Sequence, residues 1–408
     1  MNLSLKMAMA GGNHSVTYLD YRNYMDPLWD NLSQEADTLM PTDTKGFYET
    51  ARTLRNVFLP IIVIIGLTGN TVTIVVFIST HMKKSSATAF LATLAFVDNV
   101  FLVALFTTWF DGSVSNIIKT EGVCQLLVYV TYVTSFLSIW YVVGFTAERY
   151  IAICHPFRAP IVCSRFREKI YVIILAVVAG VLYNYALWTT SVVELNGVYR
   201  CGYKFKYMSL LEKVTWIDTI ITMIIPFLLI LLMNIKVVCK AAAFHRKRKH
   251  CLKPTDSFNS SISRSKSRAL RSKPQMRVTR TLVLVSTTFL VLNLPSHVRR
   301  LYTLIIYTTT QQETEIAMYH YLLQEITQLL YYSTFSVNFF LYALYGKHFQ
   351  SSLLLMIKSI RYRICCRKSH IHLSRTPSAK GVLLSASNSR LISMELKQDI
   401  KFTLSKGK

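Results

Sequence analysis

Seven long apolar stretches constrain this chain more than any other feature. They cover residues 56–79, 87–110, 123–154, 170–190, 214–239, 278–307 and 317–345. A helix that crosses a bilayer needs about 20 mostly apolar residues, and each stretch reaches that length. Only 16% of the residues are charged, whereas soluble domains have about 25%. The sequence therefore predicts an all-α membrane protein, a seven-transmembrane helix bundle.

The basic residues indicate how the chain is oriented. Residues 1–55 contain five Lys/Arg and seven Asp/Glu, whereas 236–280 contain fourteen Lys/Arg and one acid. Residues 345–408 contain thirteen Lys/Arg and two acids. Because Lys and Arg collect in cytoplasmic loops, we expect a multi-pass plasma-membrane protein with an extracellular N-terminus and a cytoplasmic C-terminus. Basic segments beside a membrane also favour contact with anionic lipid over nucleic-acid binding.

Composition divides the chain into five parts. An extracellular N-terminus, 1–55, precedes the bundle at 56–345, whose third intracellular loop, 240–276, is basic and rich in Ser. Apolar residues on one face predict a short amphipathic helix at 346–361. The tail, 362–408, lacks the apolar content needed to fold alone.

Modification motifs lie in both flanking parts. Asn13 and Asn31 each begin an Asn-X-Ser triplet, which is a glycosylation acceptor. Cys365 and Cys366 lie beside basic residues after the last stretch, so they are palmitoylation candidates, with unmodified thiols as the alternative.

Two of the eight cysteines fall on the predicted outer surface. Cys124 opens the third stretch and Cys201 follows the fourth. An oxidising exterior would let these two residues pair. Between them, Asn196-Gly197 separates β-prone residues, which is a hairpin signal.

One carboxylate lies in the middle of the second stretch. Ionisable groups at this depth are costly and are usually functional. Asn70, Ser138 and Asn338 lie at similar depth to Asp98. Asp98 with neutral oxygen ligands could bind an allosteric sodium ion. A water-linked polar network that holds the helices together is the alternative, and the two are compatible.

The third stretch ends in Glu148-Arg149-Tyr150. An adjacent acid and base can neutralise each other until the helices separate. This motif resembles the inner end of helix three in rhodopsin-like G-protein-coupled receptors. The resemblance covers residues 56–360 and implies their seven-helix fold.

Further matches follow in the order and spacing of that family. They include the outer cysteine pair, the Gly-Asn of the first stretch and Asp98. The remaining family positions, which the resemblance assigns to an activation switch, are Pro226, Ile139, Phe289, Pro295, Asn338 and Tyr342.

Three positions depart from the family pattern. Phe339 stands where the family usually has Pro, so the seventh helix should bend less. Asn293 replaces the Trp that precedes Pro295 by two residues, and Asn234 replaces a common Tyr. These changes concern the activation switch more than the fold.

The resemblance implies a receptor that binds an extracellular ligand and activates a heterotrimeric G protein. Receptor kinases and arrestin would act on its serine-rich cytoplasmic segments. Thr131 occupies the position at which amine receptors of the family carry Asp, which disfavours a small cationic amine. The outer hairpin and the residues around Asn293 resemble those of invertebrate neuropeptide receptors, so we expect an extracellular peptide ligand.

Candidate ligand contacts share the outer half of the bundle, where polar and aromatic side chains gather. They are Thr131, Tyr132, Ser135, Asp218, Ser296, His297, Arg300, Gln324, Gln328 and Tyr332. A small non-peptide or lipid ligand is the alternative, and a transporter or channel is a remote one. No nucleophile motif, phosphate loop or metal-ligand cluster supports an enzyme or a resident cofactor.

Overall fold

The structure is a computed structural model of the whole chain. It describes residues 42–79, 87–113, 120–195, 198–251, 281, 283–303, 305, 318–347, 349–359 and 361. The predicted glycosylation of Asn13 and Asn31 and palmitoylation of Cys365 and Cys366 concern residues outside these ranges.

Long helices form most of the described chain. The first three are α1 (Thr42–Ser79), α2 (Ala87–Ser113) and α3 (Val123–Cys154). A short helix, Ala159–Val162, leads into α4 (Arg165–Leu182).

The remaining helices follow an outer hairpin. Helix α5 runs from Met208 to Cys251 and includes a π-helical segment, Ile220–Ile224. Residues 283–303 form α6, and Met318–Tyr345 form α7. Within the described ranges, five helices are long and apolar enough to cross a membrane, namely α1 to α5.

Several helix ends differ from the apolar stretches. Helix α1 begins at Thr42 rather than at residue 56, and α4 begins at Arg165 rather than at 170. Helix α5 begins at Met208 rather than at 214, and it continues to Cys251 through the first part of the predicted loop 240–276. The helices extend beyond the apolar spans because hydropathy marks only the part suited to lipid, whereas Ala, Lys and Arg are good helix formers in water as well.

The outer hairpin closes over the bundle between α4 and α5. Strand β1 (Thr190–Leu195) pairs antiparallel with β2 (Val198–Tyr203), and Leu195 is opposite Val198. The predicted hairpin is therefore present, with the two turn residues outside the described ranges. A disulfide joins Cys124 to Cys201, as predicted, and ties β2 to the first turn of α3.

Local chemistry explains the start of α3 and the irregular turn of α5. Gly122 has a φ of +92°, which suits glycine, and its N–H donates to the Gln125 side chain in the first turn of α3. In α5, Pro226 has no N–H that could donate to the carbonyl of Thr222. The π-helical segment contains Thr222, so the helix is irregular at the point where this hydrogen bond is missing.

An apolar core joins α1, α2 and α7. Phe101 of α2 stacks on Phe335 of α7 with ring centroids 3.8 Å apart. Helices α1 and α7 approach each other closely at Gly69. A Cβ at this position would lie only 2.9 Å from the Cβ of Phe339, so a larger residue would not fit. Helix α7 is continuous through Phe339, as expected for a residue that keeps its backbone donor.

The chain divides into two compact units, 1–352 and 353–408. At the end of the first, Phe349 is buried against Phe77 and Tyr342, with ring centroids 5.5 and 5.9 Å away. In the second, residues 353–359 are helical.

Candidate functional site

An ion pair joins α5 and α6 near their outer ends. The Arg300 guanidinium donates to Asp218 Oδ2 at 2.6 Å, and the Tyr183 hydroxyl donates to Oδ1 at 2.6 Å. The Asp218 side chain is 8% exposed and that of Arg300 is 24% exposed. Both carboxylate oxygens therefore have a donor, while part of the guanidinium stays accessible.

Four tyrosines surround this pair. Tyr132 of α3 stacks on Tyr183 with ring centroids 5.4 Å apart, and Tyr185 lies 6.1 Å from both. The Tyr132 hydroxyl is 2.6 Å from that of Tyr203 in β2. These four residues with Asp218 and Arg300 form what we call the tyrosine–ion-pair cluster.

Three irregular elements bring this cluster together. The disulfide places β2 over α3, which carries Tyr203 to Tyr132. The α4 helix ends in a turn, so Tyr183 and Tyr185 both point towards α3. Asp218 lies just before the π-helical segment of α5, in a stretch where Thr222 donates to the Asp218 carbonyl at 2.7 Å.

Other predicted ligand contacts have local partners. The Thr131 hydroxyl donates to a carbonyl of its own helix, Leu127, at 2.8 Å. Ser135 of α3 lies 2.6 Å from the hydroxyl of Tyr331, a residue that the sequence did not single out. Ser296 and His297 are half-buried and lie within one turn of Arg300 on α6.

Three of the predicted contacts belong to α7. Gln324 is 3% exposed, and the Gln328 amide donates to the Tyr332 hydroxyl at 2.8 Å. Tyr332 packs in the apolar core with Phe101 and Leu59. As ligand contacts, all ten residues stay predictions.

A polar network lies in the middle of the bundle. Asp98 is fully buried, and it accepts hydrogen bonds from Ser138 at 2.7 Å and from the Asn338 amide at 3.0 Å. The Asn70 amide donates to the Phe335 carbonyl at 2.9 Å. Asn338 and Ser138 thus both donate to Asp98, whereas the Asn70 amide bonds to a backbone carbonyl of α7. The role of these four residues as a sodium site or a water-linked network stays a prediction.

Two of the three departures from the family pattern form interhelical hydrogen bonds. Asn293 is fully buried and donates to Thr334 of α7 at 3.2 Å. Asn234 of α5 and Ser286 of α6 donate to each other at 2.9 and 3.0 Å. Polar contacts therefore hold α6 to both neighbours, where the family has aromatic residues.

The predicted switch residues are largely buried. Ile139, Phe289 and Pro226 belong to α3, α6 and α5, and all three are buried. Tyr342 is 3% exposed, and its hydroxyl has no hydrogen-bond partner within the described ranges. Pro295 is half-buried in α6. Their role as a switch stays a prediction.

The inner end of α3 carries an adjacent acid–base pair. Arg149 and Glu148 form a hydrogen-bonded salt bridge, and their side chains are 12% and 4% exposed. The Tyr150 hydroxyl is 3.3 Å from the His155 ring. Beyond them, Phe157 is 94% exposed, an unusual position for a large apolar side chain.

Sequence reasoning missed several contributors to these sites. Tyr183, Tyr203 and Tyr331 contact predicted residues, and Glu168 is buried near the inner acid–base pair. The chain contains 23 Tyr, but abundance does not show which rings meet. Among the described residues, no group of three or more His, Cys, Asp or Glu could hold a metal.

Comparison with known proteins identifies a family and several relatives. The model of the "7 transmembrane receptor (rhodopsin family)" matches residues 69–342. A chicken thyrotropin-releasing hormone receptor is 30% identical over 156 residues, 34% of this chain and 37% of that protein. The match therefore spans little more than a third of that receptor's length.

Two other relatives match over longer regions. The neuromedin U receptor homolog nmur-2 of Caenorhabditis elegans is 25% identical over 312 residues, 71% of this chain and 76% of that protein. A mouse neurotensin receptor type 1 is 28% identical over 260 residues, 58% of this chain and 59% of that protein.

Proposed function

Because the chain belongs to the rhodopsin family of seven-transmembrane receptors, we propose that it binds an extracellular neuropeptide and activates a heterotrimeric G protein. The relatives are receptors rather than enzymes, and this chain is a multi-pass membrane receptor. The observation that carries the proposal is the pairing of Glu148 with Arg149 at the inner end of α3, below an outer polar cluster.

The proposed topology has seven crossings. Helices α6 and α7 supply the two spans beyond the five recognised by length and hydropathy. The N-terminus is extracellular and the C-terminus cytoplasmic, since the fourteen basic residues of 236–280 favour the inner side. The segment 346–361 lies on the inner membrane surface as an amphipathic helix in contact with lipid.

The tyrosine–ion-pair cluster supports a peptide ligand. Asp218 and Arg300 already neutralise each other, so a ligand that separates them must replace both a donor and an acceptor. A peptide backbone carries both kinds of group, and charged side chains add to them. A neutral lipid would strip water from these polar groups without replacing its hydrogen bonds.

The relatives favour the same ligand class. The names of the relatives compared above are those of receptors for thyrotropin-releasing hormone, neuromedin U and neurotensin. A receptor of the same fold for a small non-peptide or lipid ligand is the main alternative. A transporter or channel would instead move a solute without activating a G protein.

Activation in this proposal is a shift between two helix packings. At rest, Glu148 holds Arg149. An outer ligand that binds the second packing more tightly moves the inner part of α6 outward, with Pro295 as the flexible point. Arg149 is then released into a groove for a G-protein helix, and Phe157 offers an apolar contact at its rim.

A sodium ion would stabilise the resting packing. The donor set fits a hard cation, because Asp98 supplies a carboxylate and Ser138 a hydroxyl. The Asn70 side-chain oxygen is also buried and has no hydrogen-bond partner within the described ranges. Asp98, Ser138 and Asn70 would hold the ion, and its charge would offset that of the carboxylate.

Regulatory partners are part of the proposal. Receptor kinases would phosphorylate serines of the third loop and tail, and arrestin would then bind. These segments combine Ser with Lys and Arg in the sequence, and phosphorylation would add negative charge there.

Ligand-stimulated nucleotide exchange tests this function. Membranes containing the receptor and a panel of purified G proteins are exposed to a library of amidated neuropeptides, with the Arg149→Ala variant as the inactive control. We expect one or more peptides to accelerate exchange only with the unmodified receptor. Activation by a neutral lipid or amine alone would refute the peptide assignment, and solute flux without exchange would support a transporter.

A further inference from the structure

Helix α4 carries a long exposed apolar face. Of the five spans recognised in the described ranges, α4 is the least buried inside the protein. Phe166, Ile170, Ile173 and Val177 are all exposed, and Phe166 is 74% exposed. Because these four residues recur every three or four positions, they form one stripe along the helix. We call them the α4 stripe.

The opposite face of α4 packs against the protein. Its buried residues are Glu168, Leu175 and Ala179. At 3.6 residues per turn, all three lie within about 30° of the direction opposite to the stripe. The helix therefore has one face on the bundle and one on its surroundings. In a multi-pass membrane receptor those surroundings are lipid.

The length of this exposed face matches a bilayer. The apolar span runs from Arg165 to Thr189, and Trp188 near its outer end is exposed. From Lys169 to Trp188, a helical rise of 1.5 Å per residue gives about 28 Å, and the hydrocarbon core of a bilayer is about 30 Å thick. Trp and Lys are typical of membrane interfaces. The inner end of the stripe therefore lies at headgroup depth.

Two cations flank this inner end. Arg167 and Lys169 are exposed, and neither has an ion-pair partner within the described ranges. Arg167 lies about 90° to one side of the stripe, and Lys169 lies about 70° to the other side. Glu168 is the only acid among residues 155–170, and it is on the buried face. Positive charge therefore lies on both sides of the apolar stripe, and residues 155–170 supply no exposed carboxylate to neutralise it.

An apolar surface between two cations at headgroup depth fits an anionic phospholipid. A zwitterionic lipid adds a cation of its own, which Arg167 and Lys169 would repel. We propose that the inner end of α4 binds an anionic phospholipid of the cytoplasmic leaflet. Arg167 and Lys169 hold its headgroup, and one acyl chain lies along the α4 stripe.

Two protein partners fit this face less well. In a two-fold dimer through α4 the same surface would meet itself, so Arg167 and Lys169 of one copy would approach those of the other and repel them. A G protein approaches from the cytosol, whereas the stripe continues to Val177, about 16 Å further along the helix than Phe166. An acyl chain reaches that depth.

Photocrosslinking tests the site without a peptide ligand or G protein. The purified full-length receptor is reconstituted in phosphatidylcholine nanodiscs that contain a small fraction of photoactivatable lipid, either phosphatidylserine or phosphatidylcholine, with the reactive group in one acyl chain. Mass spectrometry then locates the labelled residues. We expect severalfold more label on residues 170–181 with phosphatidylserine. Each basic residue near an anionic surface contributes about fivefold, so two set an upper limit of about 30-fold.

Three variants test which charges hold the headgroup. Arg167→Gln with Lys169→Gln should remove the preference for phosphatidylserine, and Arg167→Lys should retain most of it because the charge is kept. The matched control is Lys236→Gln with Lys240→Gln, at two exposed cations near the inner end of α5, and should keep the full preference. High salt should weaken the preference in the unmodified receptor, because it screens exposed charges.

The possible results separate the lipid site from other interpretations. Equal labelling by the two lipids in the unmodified receptor, or an unchanged preference in the double variant of α4, would overturn the site. Protection of the stripe from both lipids in nanodiscs that hold two receptors would assign it to a second copy and overturn the site as well. A receptor that prefers phosphatidylserine but activates no G protein would refute the proposed function and support the lipid site.

Discussion

Breaking the ion pair between α5 and α6 should have unequal effects on its two partners. Arg300→Ala leaves Asp218 with only the Tyr183 hydroxyl, at a side chain that is 8% exposed. Asp218→Ala leaves Arg300, whose side chain is 24% exposed and long enough to reach water. The stranded carboxylate should therefore destabilise the receptor more than the stranded guanidinium.

The burial of each group sets the expected size of these effects. Truncating one partner of a buried charge pair costs about 2–5 kcal/mol, much of it from the charge left without a partner. We assign about 3–5 kcal/mol to Arg300→Ala and about 2–3 kcal/mol to Asp218→Ala on that scale. Tyr183→Phe removes a single hydrogen bond to a charged group, which is worth about 1.5–3 kcal/mol.

Chemical denaturation of the purified, ligand-free receptor in detergent micelles measures these differences. The double variant Asp218→Ala with Arg300→Ala completes a double-mutant cycle. Because neither charge is then stranded, its loss in free energy of unfolding should fall short of the sum of the single losses by at least about 1 kcal/mol. Lys213→Ala, at an exposed cation on the same part of α5, is the control and should change little.

Agonist potency provides a second test of the ion pair between Asp218 and Arg300. Either single variant should weaken a peptide agonist at least about 30-fold, since 2 kcal/mol is the lower limit for a lost charged partner. Equal, additive losses of stability in the two single variants would refute the ion-pair reasoning. Unchanged potency in both would remove the pair from the ligand site.

Four further predictions concern other parts of the receptor. Loss of Cys124 or Cys201 should abolish ligand binding at the cell surface, because the disulfide closes a loop with a sequence separation of 77 and contributes about 4.5 kcal/mol in the chain-entropy treatment. Asp98→Asn should remove the effect of sodium on agonist affinity, measured by radioligand binding in sodium and in potassium buffer. Arg149→Ala should bind agonist normally yet fail to stimulate nucleotide exchange. Phe157→Ala should reduce exchange severalfold without changing agonist affinity, since the exposed ring would contact the G protein in the proposed complex and lies at the other end of α3 from the ligand candidates.

Contrary results are equally clear for these variants. If Cys124 and Cys201 were free thiols in folded receptor at the cell surface, the prediction about the disulfide would be wrong. If sodium still changed agonist affinity in Asp98→Asn, the prediction of a sodium site at Asp98 would be wrong. Normal nucleotide exchange with Arg149→Ala would contradict the proposed role of Arg149 in G-protein activation. Normal nucleotide exchange with Phe157→Ala would show that this ring is not part of the G-protein contact.

The sequence alone determined the helices, because hydropathy is a property of local composition. The third stretch, 123–154, coincides with α3 (Val123–Cys154), and Asn196-Gly197 lies between two paired strands. The outer cysteine pair followed from topology and the family resemblance. Helix ends in water were less predictable, as the continuation of α5 to Cys251 shows, since nothing in hydropathy ends a helix there.

Only the tertiary structure decided which side chains meet across helices. Asp218 and Arg300 were both ligand candidates, but their mutual pairing depends on how α5 and α6 rotate and approach. The same holds for Tyr183 beside Asp218 and for Tyr203 beside Tyr132. Residues so far apart in sequence meet only through packing, because a helix can rotate about its axis without changing its own hydrogen bonds.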